Sequence, residues 1–142
     1  MIDVVKDGVL GIDPGDRRIG LAVAHGGLMA AGLGVIEYAG KRRFLERLKP
    51  IMAEENIGLV VVGLPYNMDG SEGTSAKKAR RLGEEIERTF GIPVEFEDER
   101  LSTEQALKHL KETGRKAGKN KGKIDMMAAV NILQSYLDER RG

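Results

Sequence analysis

The chain has no cysteine and no tryptophan, only two histidines, and an aromatic content of 4%. Without cysteine there are no disulfides, no thiolate nucleophile and no thiolate metal site, which fits a reducing compartment. Scarce histidine argues further against zinc. Few aromatic rings leave few platforms on which nucleic-acid bases could stack. Charge of one sign is also lacking: 23 basic residues stand against 22 acidic ones, for a net charge of +1. Any nucleic-acid footprint must therefore lie in how charges are distributed, not in their sum. No apolar run approaches the roughly 20 residues of a membrane span, and the N-terminus has no secretory pattern. The expectation is a soluble, cytoplasmic chain with no membrane partner. At 142 residues and 41% hydrophobic side chains, residues 1–142 are expected to form a single domain with its own core.

What is present begins with Val9 to Ala24. An apolar run ends on Asp13, turns through Pro14 and Gly15, passes Arg17 and Arg18, and re-enters an apolar run at Ile19. This predicts two antiparallel strands joined by a tight turn. An aspartate at the end of such a run either accepts hydrogen bonds from the turn amides or has its charge compensated by a cation or by Arg17 or Arg18. Leu28 to Tyr38 predicts a third strand, completing a meander. His25, beside two glycines at a strand end, reads as a turn residue.

Phe44, Leu45, Leu48, Ile51 and Met52 recur at helical spacing within Lys41–Asn56, where Pro50 is expected to kink or restart the helix. The continuous apolar run Ile57–Gly63 predicts a strand covered on both faces. After it comes a polar loop, Leu64–Thr74, at the sheet edge where α/β proteins bind ligands. Its Asn67, Asp69, Ser71 and Thr74 suit a phosphate or a metal, and equally suit a surface loop. A second helix from Ser75 carries Lys77, Lys78, Arg80 and Arg81 at its start, where helices prefer acids. Either this is a solvated face or it contacts a phosphate backbone.

Val94 and Phe96 alternate with Glu95 and Glu97, predicting a half-exposed edge strand. Ser102 and Gln105 form a capping box for a third helix, so Asp98 and Glu99 sit in the joint before it. Lys108–Lys123 holds seven basic residues against one acid, punctuated by Gly114, Gly118 and Gly122. This predicts a mobile basic loop with a polyanionic partner. Ile124–Leu137 is a helix apolar on more than one face, with Asp125 in its first turn.

Asp13, Glu99 and Asp125 gain weight when taken together. Only a fold that returns the last helix to the first strand lets them converge. Carboxylates suit Mg²⁺ or Mn²⁺, and two such ions about 4 Å apart can clamp a phosphodiester without any side-chain nucleophile.

Four blocks carry a family resemblance: Asp13-Pro-Gly-Asp-Arg-Arg-Ile-Gly, Gly63-Leu-Pro-Tyr-Asn-Met-Asp-Gly-Ser, Asp98-Glu-Arg-Leu-Ser-Thr and Lys123-Ile-Asp-Met-Met-Ala-Ala. In that order, over about residues 8–138, the chain resembles the YqgF/RuvX family, bacterial proteins described as Holliday junction resolvases and as pre-16S rRNA nucleases. The resemblance implies an α/β, RNase H-like fold: a five-stranded mixed sheet, three antiparallel plus two parallel strands, with helices on both faces. It also implies a divalent-metal nuclease site with Asp13, Glu99 and Asp125 in the acidic positions.

The mechanism expected is hydrolysis by metal-activated water, leaving a 5′-phosphate and a 3′-hydroxyl. Asp13 would bridge two Mg²⁺ or Mn²⁺ ions, and Glu99 and Asp125 would each complete one. Arg17, Arg18 and Arg100 would hold substrate phosphates, and Lys116, Lys119, Lys121 and Lys123 would grip the backbone farther out. RNA of a ribosomal precursor is the first substrate, on the resemblance alone. A DNA four-way junction is the second, and calls for a homodimer where RNA allows a monomer. RuvC-type resolvases carry two acids three residues apart on the last helix, whereas Asp125 is followed at that spacing by Ala128; Asp98 or Asp69 would then assist. Their middle acid lies on the fourth strand, whereas Glu99 follows the fifth. Two other classes remain: a non-catalytic RNA-binding assembly factor, and an ATP-binding actin-like or sugar-kinase-like protein, which needs two lobes where 142 residues supply one.

Overall fold

The structure is a computed structural model that describes residues 6–27, 29–67, 69–99 and 121–141, the last residue and the first of the final helix by backbone alone. In chain order the elements are β1 (Gly8–Asp13), β2 (Arg18–His25), β3 (Ala31–Glu37), α1 (Lys41–Glu54), β4 (Ile57–Leu64), α2 (Thr74–Phe90), β5 (Val94–Asp98) and α3 (Lys121–Arg141). The strands form one sheet in the order β3-β2-β1-β4-β5. β1 pairs antiparallel with β2, and β2 antiparallel with β3. β4 adds parallel to β1, and β5 parallel to β4. This is the expected RNase H-like mixed sheet.

Side chains alternate between the two faces of the sheet, so each strand feeds two cores. Leu10, Ile12, Ile19, Leu21, Val60, Val62 and Leu64 pack with Phe44, Leu48 and Met52 of α1 and Ala76, Ala79 and Ile86 of α2. The opposite face supplies Ala22, Ala24 and Val61 to Ala129, Ile132, Leu133, Tyr136 and Leu137 of α3. Helices therefore cover both faces, and α3 lies across β1, β2 and β3. Val60, Val61 and Val62 are all fully buried, which is why β4 needs no polar residue.

Two expectations change. α1 runs unbroken from Lys41 to Glu54 with Pro50 inside it, so the helix does not restart there. Pro50 faces solvent, and water can satisfy the carbonyl its missing N–H leaves open. β5 is an edge strand, as its alternation predicts. Its glutamate face, however, is covered: Glu97 is only 7% exposed. Tyr136 of α3 donates a hydrogen bond to Glu95, and Arg140 stacks on the Tyr136 ring and reaches Glu95 at 3.4 Å. The capping box at Ser102 and the basic loop lie outside the described residues. No helix among the described residues is long and apolar enough to cross a membrane.

Candidate active site

β1 and β4 are parallel, so both end at the same edge of the sheet, and β2 starts there. Asp13 is the last residue of β1, opposite Gly20 of β2. It follows Gly11 by two residues and so shares the face on which Gly11 meets Leu133 of α3.

Glu99 reaches the same place from β5. Its backbone N–H donates to the Leu64 carbonyl at 3.0 Å, fastening it to the end of β4. A side chain at Gly63 would have its Cβ 3.1 Å from the Glu99 carboxyl carbon and 2.6 Å from Ile132. The missing side chain at residue 63 is thus the space through which a carboxyl group from the fifth strand comes to the centre of the sheet. Glu99 is buried, and its carboxyl hydrogen-bonds that of Asp13.

Asp125 arrives on the first turns of α3. A Cβ at Gly20 would fall 2.0 Å from the Asp125 carbonyl oxygen, so glycine there lets the helix backbone rest on β2. The Asp125 carboxylate lies near enough for its charge to act on Asp13. Arg18 holds it, with Nε 2.7 Å from Oδ2.

Burial sets the proton balance of this group. It pushes the Asp13 carboxyl above its ordinary value; the hydrogen bond from Glu99 opposes this, and the Asp125 charge adds to it. Glu99 is pushed up to about 9, first by burial, then by the hydrogen bond to Asp13 and by that group's charge. The pair therefore holds a proton more tightly than either group would in water.

Among the described residues, no three acids or histidines stand close enough together to form a ready-made metal site. The donor chemistry is nonetheless that of a hard divalent cation: two carboxyl groups in hydrogen-bond contact, with the Asp125 charge near enough to act on Asp13. A cation bound there would oppose both upward shifts, whose first cause is burial.

The other expected residues divide. Arg18 compensates Asp125, not Asp13, because its side chain meets the helix that Gly20 admits. Arg17 and Lys123 are exposed near this edge. Asp98 is exposed, on the strand face opposite Glu99. Asp69 accepts hydrogen bonds from the Ser71 amide (2.9 Å) and hydroxyl (2.6 Å) within its own loop. His25 bonds the Glu55 carbonyl at 3.1 Å, beyond the far end of the sheet. Arg100, Lys116 and Lys119, and the side chain of Lys121, lie outside the described residues. Gly20 and Gly63 escaped the sequence reading, although a lone glycine inside an apolar strand is itself a sign of close approach by a neighbour.

Comparisons with known proteins agree with this architecture. The model of the RuvX family, described as "Holliday junction resolvase", matches residues 7–139. A Crocosphaera subtropica protein named "Putative pre-16S rRNA nuclease" is 41% identical over 133 residues, spanning 93% of each chain. A protein of the same name from an Anaeromyxobacter species is 46% identical over 132 residues, 92% of this chain and 96% of its own. Among solved structures, Thermus thermophilus RuvC bound to a Holliday junction superposes with a TM-score of 0.60 at 22% identity, over 95% of this chain and 96% of that one. Fowlpox virus resolvase bound to junction DNA gives 0.57 at 11% identity, over 93% and 97%. Those two share the fold. With a family model that spans nearly the whole sequence and relatives above 40% identity over more than nine-tenths of it, the chain belongs to the RuvX family.

Proposed function

We propose that this chain is a divalent-metal-dependent nuclease, one domain over residues 1–142, that hydrolyses phosphodiester bonds in pre-16S rRNA in the cytoplasm. The observation that carries the reading is the contact between the Asp13 and Glu99 carboxyl groups, Glu99 being buried, at the sheet edge where Asp125 arrives. Two carboxyl groups held in contact cost stability, and such an arrangement is the mark of a functional site. The names of the relatives support RNA as the substrate class.

Asp13, Glu99 and Asp125 would hold Mg²⁺ or Mn²⁺. When bound, the ion supplies an activated water at neutral pH and stabilises charge on the phosphate oxygens. For its part, the protein releases the proton from Glu99, so that ion binding grows stronger as pH rises. Arg18 orients the Asp125 carboxylate by its 2.7 Å contact. Arg17 and Lys123, both exposed, would neutralise substrate phosphates.

A second reading is junction resolution, favoured by the description of the matching family. It requires two copies of the chain, one for each strand cut. A third, non-catalytic RNA binding in ribosome assembly, makes the acidic pair dispensable.

The test is a cleavage assay offering precursor 16S rRNA and a four-way DNA junction side by side with Mg²⁺ or Mn²⁺, using the parent and Asp13→Asn. The expected result is cutting of the RNA by the parent alone. Preferential cutting of the junction selects resolution. Equal traces of activity in both proteins refute a nuclease, and an Asp13→Asn protein that still supports rRNA maturation in cells selects the assembly factor.

A further inference from the structure

A cavity of about 860 Å³ lies on the α1/α2 side of the sheet, across the Pro14–Asp16 turn from the acidic pair. That volume is in the range of small-ligand sites. Its lining carries charge of both signs. Lys41, at the start of α1, stands with Lys78 and Arg81 of α2; farther along α2 come Glu84, Glu85 and Arg88, and Asp16 lies in the turn. Between them the wall is apolar, and the one aromatic ring in it is Tyr38, steadied by Phe44 at a centroid distance of 6.1 Å.

The cations at the mouth are weakly engaged. Lys78 reaches Asp16 only at 3.8 Å, with both side chains mostly exposed, and Lys41 lies 3.5 Å from Glu85. Among the described residues Arg81 pairs with no acid, and it is exposed. Positive charge in a first helical turn, as at Lys41, is itself unfavourable by about 0.3–1 kcal/mol. A bound anion turns that cost into attraction.

We propose that this cavity takes one unpaired nucleotide of the nucleic-acid strand being cut, its phosphate at Lys78 and Arg81 and its base against Tyr38. The chemistry fits: anionic phosphate at Lys78 and Arg81, a flat ring on Tyr38, and an exocyclic amino group of the base toward Glu84, Glu85 being held already by Lys41 at 3.5 Å and Arg88 at 3.0 Å. Position fits as well, because Pro14 and Gly15 line the cavity and directly follow Asp13. A strand crossing this edge meets the acids on one side of the turn and the cavity on the other. This rests on the nuclease reading and adds a requirement: the substrate is single-stranded next to the scissile bond.

The experiment uses a short single-stranded RNA carrying 4-thiouridine, bound to the full chain in the Asp13→Asn background so that no cutting occurs. Expected are a photo-cross-link to Tyr38 and a loss of single-strand affinity of about tenfold for Tyr38→Leu. Arg81→Glu, an exposed change that keeps the fold, should cost a similar factor. Lys78→Gln should lower the slope of log affinity against log salt by about 1. Binding of a blunt duplex should not respond to Tyr38→Leu. The proposal is overturned if Arg81→Glu and Tyr38→Leu bind the single strand as tightly as the parent, or if cross-links map away from the cavity. If these variants, with Asp13 intact, cut precursor RNA like the parent, the cavity proposal falls and the nuclease reading stands. A chain that neither binds nor cuts any nucleic acid sinks both.

Discussion

The two faces of the sheet are built on opposite principles. Under α1 and α2 the strands present Leu10, Ile12, Ile19, Leu21, Val60, Val62 and Leu64. Under α3 they present Gly11, Gly20, Ala22, Ala24, Val61 and Gly63. Among the described residues, ten of the twelve largest fully buried side chains belong to the first face. Each is worth about 1.5–3 kcal/mol when removed from water, so the first face carries most of the stability. The second face gives up that volume, and in return α3 lies close enough to set Asp125 beside Asp13. Large side chains hold the shape; small ones admit the acids.

Substitutions on the two faces should therefore separate activity from stability. The largest effect belongs to Asp13→Asn, which should slow cleavage about a thousandfold, about 4 kcal/mol of transition-state stabilisation. Its melting temperature should not fall, because the change removes a charge that burial disfavours. Initial rates and a thermal melt on the same sample check both halves. Phe44→Ala should do the reverse: a loss of about 3–5 kcal/mol in urea unfolding, with the folded fraction cutting at close to the parental rate. If Phe44→Ala abolished cutting in folded protein, the division of labour would fail.

Gly20→Ala tests the seam between helix and sheet. The new Cβ would lie 2.0 Å from the Asp125 carbonyl oxygen, so α3 must move. A shift of about 1 Å in a positioned group costs about a hundredfold in rate, which is the expected loss here. Parental activity in this variant would mean that Asp125 has no part in the site.

The pH dependence sharpens the contrast further. In the unfolded chain Glu99 has its ordinary value near 4.5, and in the folded protein it rises to about 9. The unfolded state therefore gives up this proton first. Its contribution to stability is complete below about pH 4.5 and is lost as pH climbs towards about 9. Glu97, raised to about 7 chiefly by burial and then by its hydrogen bond to Glu139, adds to the same trend. Urea midpoints of the metal-free protein should fall from pH 5 to pH 9, and Glu99→Gln should flatten most of that fall. Smallest is Arg18→Ala: its ion pair is about one-third exposed and should contribute about 0–1 kcal/mol to stability. A larger loss would make Arg18 a structural residue and not an orienting one.

Much of this could be read from the chain itself. β1, β2 and β4 follow from apolar runs ended by turn residues, and α2 from its amphipathic spacing, because those signals are local. Asp13 stood out as a carboxylate at the end of a buried strand. Glu99 was harder: its arrival depends on β5 lying beside β4 and on the absence of a side chain at Gly63, and neither is written near residue 99. The burial of Glu97 escaped because alternation reveals which side chains share a face but not what will cover it. Arg18 could be placed near the site, yet its choice of Asp125 over Asp13 is made by a helix more than a hundred residues away.

The notch at Gly20 has one more consequence, for the order of events during synthesis. Asp13 and its sheet neighbours through β3 emerge early, whereas the helix that rests on residue 20 is translated more than a hundred residues later. A nascent chain can thus complete its supporting core while its acidic centre is still unfinished. Competence arrives in one late docking step, and a premature stop before residue 121 should leave a polypeptide unable to cut the RNA around it.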